Sequence, residues 1–398
     1  MPPDTPIGIH DLAFRTTSLA LTHSELARHT GANIAKYHQG IGQYAMSIPA
    51  ADEDIVTMAA EACTAVLERH GSERLRTLIL ATETGVDQAK AAGVYVHSLL
   101  GLPPQIRVVE LKQACYGATA ALQFAAALVR QAPDEHVLVV ASDIARYDLN
   151  SPGEATQGAA AAALLIGAHP AVAALDRISG LHTHDVMDFW RPTYRTTALV
   201  DGRKSLDAYL EALEGAWLDH QKRGGLPLQS LHTVCYHQPF TRMANKAHRH
   251  LLRLAPTSTR APDSTALAAT THYNRTVGNS YTASLYLALA SLLDHTAGLD
   301  DADVGLFSYG SGCVAEFLTA RITPGYQQHL RTEEHSAALS ARRRVGYDEY
   351  RQLHDQSLPT DGSTLHIPGA SRNAYRLAGI DAHRRIYCRT VQPTIAPA

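Results

Sequence analysis

The chain is 398 residues long, 45% hydrophobic, and carries a formal net charge of −3 at pH 7. That length exceeds one typical domain and can bury a large core, while the near-balanced charge gives no basis for binding nucleic acid or a membrane surface. Its five cysteines are scattered without paired spacing, which argues against a disulfide framework or a zinc site, so no metal is expected.

Met1-Pro-Pro-Asp-Thr-Pro lacks the basic and apolar regions of a signal peptide. The longest apolar run, Gly158 to Ile166, is mostly alanine and far shorter than the roughly 20 residues a spanning helix needs. A soluble, cytoplasmic enzyme is expected. From the N-terminus, hydrophobic periodicity predicts a helix over 51–69, then a strand over 76–82 that ends at Glu83. A helix over 86–100 and a strand over 107–112 follow, the latter leading to Cys115 in Gln113-Ala-Cys-Tyr-Gly-Ala-Thr. Next come a helix over 117–131 and strands over 136–141 and 160–166. Beyond a seam at His169-Pro170 lie a helix over 205–223 and a strand over 232–236 ending at His237. Helices over 241–253 and 279–295 and strands over 304–309 and 313–321 complete the pattern. The alternation is that of an α/β protein. The seam divides the chain into halves 1–169 and 170–398, and residues 389–398 read as a frayed tail.

Three strand-to-helix junctions therefore each present one reactive side chain: Glu83, Cys115 and His237. Ligands gather outside the carboxyl ends of strands in open α/β folds. A helix start supplies unpaired N–H groups and partial positive charge, which favour a thiolate. Small neighbours, Ala114 and Gly117, leave room for a substrate carbonyl. Taken singly, each residue has an ordinary reading: a buried hydrophobe for the cysteine, a loop charge for the glutamate, a surface or hydrogen-bonded core group for one of 22 histidines. Cys63, Cys235, Cys313 and Cys388 carry that ordinary reading, Cys313 as packing after a Gly-Ser-Gly turn. His182/His184 and His248/His250 read as surface histidines, and Arg342-Arg-Arg as a solvated face or interface edge.

Further motifs stand in order along the chain: Gly40-Ile-Gly-Gln, Asp54-Ile-Val-Thr-Met, Ala81-Thr-Glu-Thr, Ala89-Lys-Ala-Ala-Gly-Val, Ala141-Ser-Asp-Ile-Ala and Ser151-Pro-Gly-Glu-Ala-Thr-Gln-Gly. Asp188-Phe-Trp-Arg-Pro, Val200-Asp-Gly, Tyr236-His-Gln-Pro-Phe-Thr, Val277-Gly-Asn-Ser-Tyr-Thr and Ser308-Tyr-Gly-Ser-Gly follow. With them, nearly the whole chain resembles the hydroxymethylglutaryl-CoA (HMG-CoA) synthases of the thiolase superfamily. The flavour is that of bacterial mevalonate-pathway enzymes, to which Tyr375-Arg-Leu-Ala-Gly-Ile-Asp also fits. The resemblance implies a thiolase-like α/β fold, two pseudo-symmetric halves forming a layered α-β-α-β-α core, and a homodimer.

It also implies a reaction. Acetyl-CoA acetylates Cys115, Glu83 removes a proton from the acetyl methyl group, and the enolate attacks the ketone of acetoacetyl-CoA. His237 donates a hydrogen bond to the developing oxyanion, and water releases HMG-CoA. Backbone N–H groups at Cys115 and near Gly310-Ser-Gly are candidates for holding the thioester oxyanion. Both CoA thioesters are substrates, and no cofactor is implied. Thr156, Ser205, Asn279 and Ser311 match family positions that contact the acyl moiety. Lys246 matches a basic position near the CoA phosphates, and Arg242 stands where the family usually has lysine. Asn279 reads equally as a helix cap. Asp143 and Asp188 are candidates for a supporting role. Three alternatives stay open: a β-branching enzyme acting on carrier-protein-bound polyketide intermediates, a decarboxylating ketoacyl synthase, and a non-catalytic thiolase-fold scaffold. The ketoacyl synthase would not need Glu83, and the scaffold reading does not require the complete reactive set.

Overall fold

The computed structural model describes residues 5–254 and 264–390. Nine strands make one hydrogen-bonded ladder. In chain order they are β1 (Ile7–Thr16), β2 (Leu75–Ala81), β3 (Arg107–Leu111), β4 (His136–Ala145), β5 (Gly158–Ala168), β6 (Ala173–Thr183), β7 (Leu231–Tyr236), β8 (Asp303–Gly310) and β9 (Val314–Ile322). Their spatial order is β7-β8-β9-β6-β1-β5-β4-β2-β3. Strands before the seam pair with one another, as do strands after it. Among the described residues, the two groups pair within this ladder only where β1 and β6 share the pairs Gly8↔Ala174 and Ile9↔Ala173. A Cβ on Gly8 would lie 2.0 Å from the Ala173 carbonyl oxygen, so this joint accepts no larger residue.

The helices that matter here are α1 (Ile55–His70), α2 (Ala92–Leu99), α3 (Gly117–Gln131), α4 (Gly202–Lys222), α5 (Arg242–Leu254) and α6 (Ser284–His295). Period-2 alternation sends each strand's side chains to two different cores. In β5, Ala160, Ala162, Leu164 and Ile166 share a core with α3 and α6, whereas Ala159, Ala161, Ala163 and Leu165 share one with α1 and α2. In the second group Leu306 of β8 joins the central core, and Phe307 and Tyr309 join α4 and α5. The layers therefore run α1/α2, sheet, α3/α6, sheet, α4/α5. The Ala-rich β5 lies between helical layers on both faces, and its small side chains let them approach.

Several boundaries differ from the sequence expectation for local reasons. The helix expected over 86–100 begins only at Ala92, because the Asp87 carboxylate accepts the amides of Ala89 and Lys90 at 2.8 Å each and holds a turn there. The helix expected over 279–295 begins at Ser284, after a 3₁₀ turn at Tyr281–Ala283. α1 starts at Ile55, where Asp54 and Thr57 form a capping box. β1 and β6 were not legible from alternation; β1 is buried on both faces. Near the C-terminus, Tyr375–Asp381 and Arg384–Arg389 form a hairpin, anchored where Asp54 accepts from Arg385 at 3.1 Å and Asp52 from the amides of Ala370 and Ser371. Arg389 thus ends a strand, paired with Tyr375, and is not part of a tail; residues 391–398 of the expected tail lie outside the described residues.

Some surface expectations also change. His248 is buried, its Nδ1 3.0 Å from the Tyr236 hydroxyl, because it lies on the inward face of α5. His184 is exposed as expected and His182 half-buried, both lining a cleft of about 350 Å³ with Arg203 and Lys204. Arg342 is not solvated: it donates to Ser47 Oγ at 2.9 Å and the Thr276 carbonyl at 2.8 Å. Arg343, by contrast, is an exposed partner of Glu349.

Candidate active site

Glu83 follows the end of β2 in a turn built around one buried carboxylate. Asp143 Oδ1 accepts from the Thr82 hydroxyl at 2.8 Å, the Glu83 amide at 2.8 Å, and the Thr84 amide and hydroxyl at 3.0 and 2.7 Å. Asp143 Oδ2 accepts the amide and hydroxyl of Thr282, just before α6. Four residues from two segments are thereby fixed to one side chain. The Arg191 Nε donates to Glu83 Oε1 at 3.2 Å, and its terminal nitrogen donates to the Glu83 carbonyl. Burial, then the Asp143 charge, push the Glu83 carboxyl up to about 7, against the opposing pull of Arg191.

Cys115 lies between β3 and α3, after Ala114 at φ +42°. Gly310, at the end of β8, packs onto this bend. A Cβ there would lie 2.5 Å from the Gln113 carbonyl oxygen and 2.8 Å from the Tyr116 nitrogen, so only glycine lets the two segments meet. The phenol of Tyr116 donates to the buried Glu316 at 2.9 Å, tying the start of α3 to the second group of strands. The expectation of a thiolate favoured by the helix start meets stronger opposition here. Burial and the charges of Glu83, Asp143 and Asp188 push the Cys115 thiol up, so the resting group is a neutral thiol.

His237 ends β7. Its amide donates to the Phe307 carbonyl at 2.9 Å, and its own carbonyl accepts the Tyr209 hydroxyl at 2.8 Å. The ring is 2% exposed, and burial lowers its pKa to about 3, which leaves a neutral imidazole. Its Nδ1 has no hydrogen-bond partner among the described residues.

These elements close on a cavity of about 220 Å³ lined by Cys115, Thr156, Ser205, His237, Asn279 and Ser311. Its apolar walls include Phe189, Phe240 and Met243, which keep the reacting atoms away from bulk water. Glu83 lies beside this wall, and its carboxylate is the foremost charge acting on Cys115. Asn279 has two contacts. Its Oδ1 accepts the Tyr281 amide at 3.0 Å, opening the 3₁₀ turn, and its side chain also meets the Tyr147 phenol. Arg242 and Lys246 do not line the cavity. Arg242 donates to the Gln39 carbonyl at 3.1 Å, and the Lys246 ammonium lies 5.2 Å from the ring centre of Phe240, itself a wall residue. Asp188 accepts from Tyr309 at 2.8 Å and from the Gly312 amide at 3.0 Å, so that amide is engaged and does not face a thioester. Among the described residues, no cluster of three or more His, Cys, Asp or Glu side chains could hold a metal.

Sequence reasoning missed Arg191 and the cavity phenols Tyr147, Tyr209 and Tyr281. Arg191 lies inside Asp188-Phe-Trp-Arg-Pro, but nothing in that motif indicates its contact with Glu83, 108 residues earlier. The tyrosines stand at no distinctive spacing.

Comparison with known proteins agrees with this geometry. Residues 3–171 match the family model "Hydroxymethylglutaryl-coenzyme A synthase N terminal", and residues 258–390 match the corresponding C-terminal model. Hydroxymethylglutaryl-CoA synthase of Enterococcus faecalis is 42% identical over 359 residues, covering 89% of this chain and 93% of that protein. The polyketide biosynthesis 3-hydroxy-3-methylglutaryl-ACP synthase PksG of Bacillus subtilis is 33% identical, covering 83% of each. A crystal structure of HMG-CoA synthase complexed with CoA superposes with a TM-score of 0.93 at 36% identity, covering 97% of this chain and 100% of that one. With its thiolase-like layering and with Cys115 and His237 on one cavity beside Glu83, the chain belongs to the hydroxymethylglutaryl-CoA synthase family.

Proposed function

We propose that this enzyme condenses acetyl-CoA with acetoacetyl-CoA and water to give HMG-CoA and CoA, in the mevalonate route to isoprenoids, with Cys115, Glu83 and His237 as its catalytic residues. The observation that carries the reading is the convergence of a half-buried thiol and a neutral imidazole on one apolar-walled cavity, beside a carboxyl raised to about 7. In the first step Cys115 sulfur bonds to the acetyl carbonyl carbon, and the bond between that carbon and the CoA sulfur breaks. The thiol proton leaves with the CoA sulfur, in keeping with a resting neutral thiol. In the second, Glu83 takes a proton from the acetyl methyl group. A carboxylate held in an apolar wall is a stronger base than one in water, which suits the weakly acidic α-proton of a thioester.

The enolate carbon then bonds to the acetoacetyl ketone carbon. A neutral His237 donates a hydrogen bond to the ketone oxygen, which becomes the tertiary hydroxyl by taking up the proton that Glu83 removed, restoring the base. Water cleaves the Cys115 thioester, restoring the thiol and leaving a free carboxylate on the product. Thr156, Ser205, Asn279 and Ser311 orient the acyl chains, and the backbone amide of Cys115 serves the thioester oxyanion. Lys246 and Arg242 serve the CoA phosphates outside the cavity.

The acceptor is taken to be free acetoacetyl-CoA, since identity is higher to the E. faecalis CoA enzyme than to the B. subtilis ACP enzyme. Measuring CoA release with acetyl-CoA plus acetoacetyl-CoA, against carrier-bound acceptors, tests this; turnover confined to the carrier-bound acceptor overturns it. A homodimer is supported by the outer edge of β3, which has no strand partner among the described residues and beside which Val109 and Phe124 are 38% and 54% exposed. A cytoplasmic location is part of the same reading; no helix among the described residues is long and apolar enough to cross a membrane.

A further inference from the structure

Residues 184–201 form a strap between the two groups of strands. At one end the Val186 amide donates to the Gly312 carbonyl at 2.9 Å, and Asp188 holds Tyr309 and the Gly312 amide. Phe189–Trp190 then pairs antiparallel with Leu199–Val200, making a short hairpin. At the other end the Ala198 amide donates to the Arg146 carbonyl at 3.1 Å, and Arg195 donates to Asp148 at 2.8 Å. Arg191 leaves this hairpin immediately after Trp190 and reaches Glu83.

The contact is directional. Nε binds Oε1 at 3.2 Å and the terminal nitrogen binds the Glu83 carbonyl, so side chain and backbone of one residue are held by one guanidinium. Glu83 Oε2 is buried and has no hydrogen-bond partner among the described residues. The carboxylate is thus split in function: one oxygen is fixed, and the other keeps its lone pairs for a proton. The charged and titratable groups acting on or facing Glu83 are Asp143 beneath the turn, Lys112 after β3, Cys115, and the phenols of Tyr147 and Tyr281. Asp143 disfavours the carboxylate; Lys112 and Arg191 favour it, and only Arg191 also donates a hydrogen bond to it.

We infer that Arg191 is a positioning residue for Glu83, fixing Oε1, leaving Oε2 for the acetyl methyl proton, and keeping the base ionised while it is buried. This rests on the reading of Glu83 as the base. Arg191 acts after acetylation of Cys115, and its loss is felt most at low pH.

The test is the pH dependence of deuterium exchange from solvent into the methyl group of acetyl-CoA during reversible acetylation, alongside the acetylation rate itself. Arg191→Gln is expected to acetylate Cys115 at nearly the parent rate. Its exchange should lose activity on the acid side, the limb moving to higher pH by about one unit, the lower end of the effect of an adjacent opposite charge. That shift is about a tenfold loss at pH 6, narrowing at pH 9. Arg191→Lys keeps the charge and should hold the limb near its parent position. Arg191→Met gives the same charge loss should Arg191→Gln fail to fold. A limb that stays in place in the charge-loss variant, or moves as far in Arg191→Lys, overturns the inference. Glu83→Ala separates the two readings. Exchange that survives it removes Glu83 as base; exchange lost there, with the limb unmoved by loss of Arg191, removes only the role given to Arg191.

Discussion

The Glu83 amide donates to the Asp143 carboxylate at 2.8 Å, so the backbone of one buried acid is held by the side chain of another. The same contact brings two carboxyl groups close and raises the proton affinity of Glu83. Geometry and basicity are therefore set together. A turn pinned by a neutral group would hold the backbone without strengthening the base.

Cys115 should carry the acetyl group. Incubation with radiolabelled acetyl-CoA is expected to leave one stable label per subunit. Cys115→Ala should abolish it and Cys313→Ala should retain it, because Cys313 is a buried packing residue beyond Gly312. Label surviving in Cys115→Ala rules out the acetyl-Cys115 intermediate.

Glu83→Ala should still form acetyl-Cys115 and then fail to condense it. The loss in condensation should be at least about 10²–10⁴-fold, the usual contribution of a general base. His237→Ala should also lose condensation but with weakened acetoacetyl-CoA affinity, which Glu83→Ala should nearly keep. A folded Glu83→Ala that cannot be acetylated assigns Glu83 to acyl transfer instead.

The acid limb of condensation should fall near pH 7. Glu83 titrates at about 7 in this site, and the base is its ionised form, so the rate rises with pH through that value. His237, lowered to about 3, contributes no limb in the working range. Asp143→Asn removes the like charge and should move the limb to lower pH. It should also cost about 1–3 kcal/mol of stability in chemical denaturation, since an amide nitrogen cannot accept the bonds this carboxylate receives. A limb unmoved in a folded Asp143→Asn would show that the Asp143 charge does not tune the base.

Lys246→Ala should raise the KM for acetyl-CoA with less effect on kcat, the signature of lost uniform binding. Lys246 lies outside the cavity, over Phe240, where it is placed to meet a ligand's outer part and not its reacting end. An unchanged KM removes it from the CoA site.

Gly310→Ala should disturb the cysteine bend through backbone alone. The new methyl group meets the Gln113 carbonyl oxygen at 2.5 Å, and overpacking of this kind costs about 1–3 kcal/mol. Acetylation by acetyl-CoA should fall more than stability does, because the displaced atoms adjoin Cys115. Equal acetylation in the variant and the parent would mean that the bend absorbs the methyl group without moving sulfur.

The three reactive junctions were legible in sequence because each is local: a β-branched or apolar run, one chemical side chain, then a helical period. The local pattern therefore made Glu83, Cys115 and His237 candidates, the family resemblance gave them roles and added Thr156, Ser205, Asn279 and Ser311, and the fold brings all of these but Glu83 onto one cavity, with Glu83 beside it. The first strand escaped notice because alternation marks a strand only when one face meets water, and β1 is buried on both; the sixth is partly exposed, but Ala173-Ala-Leu-Asp-Arg-Ile-Ser-Gly does not alternate apolar with polar. The state of the thiol was also beyond local reading. A helix start favours a thiolate, but burial and three carboxylates from β2, β4 and the strap oppose it, and those come together only in the folded chain. Arg191 meets Glu83 across 108 residues, and Arg242 and Lys246 lie outside the cavity, for the same reason. Covalent neighbours determine which groups stand at a strand end; distance, charge and exclusion of water between remote segments decide what those groups can do.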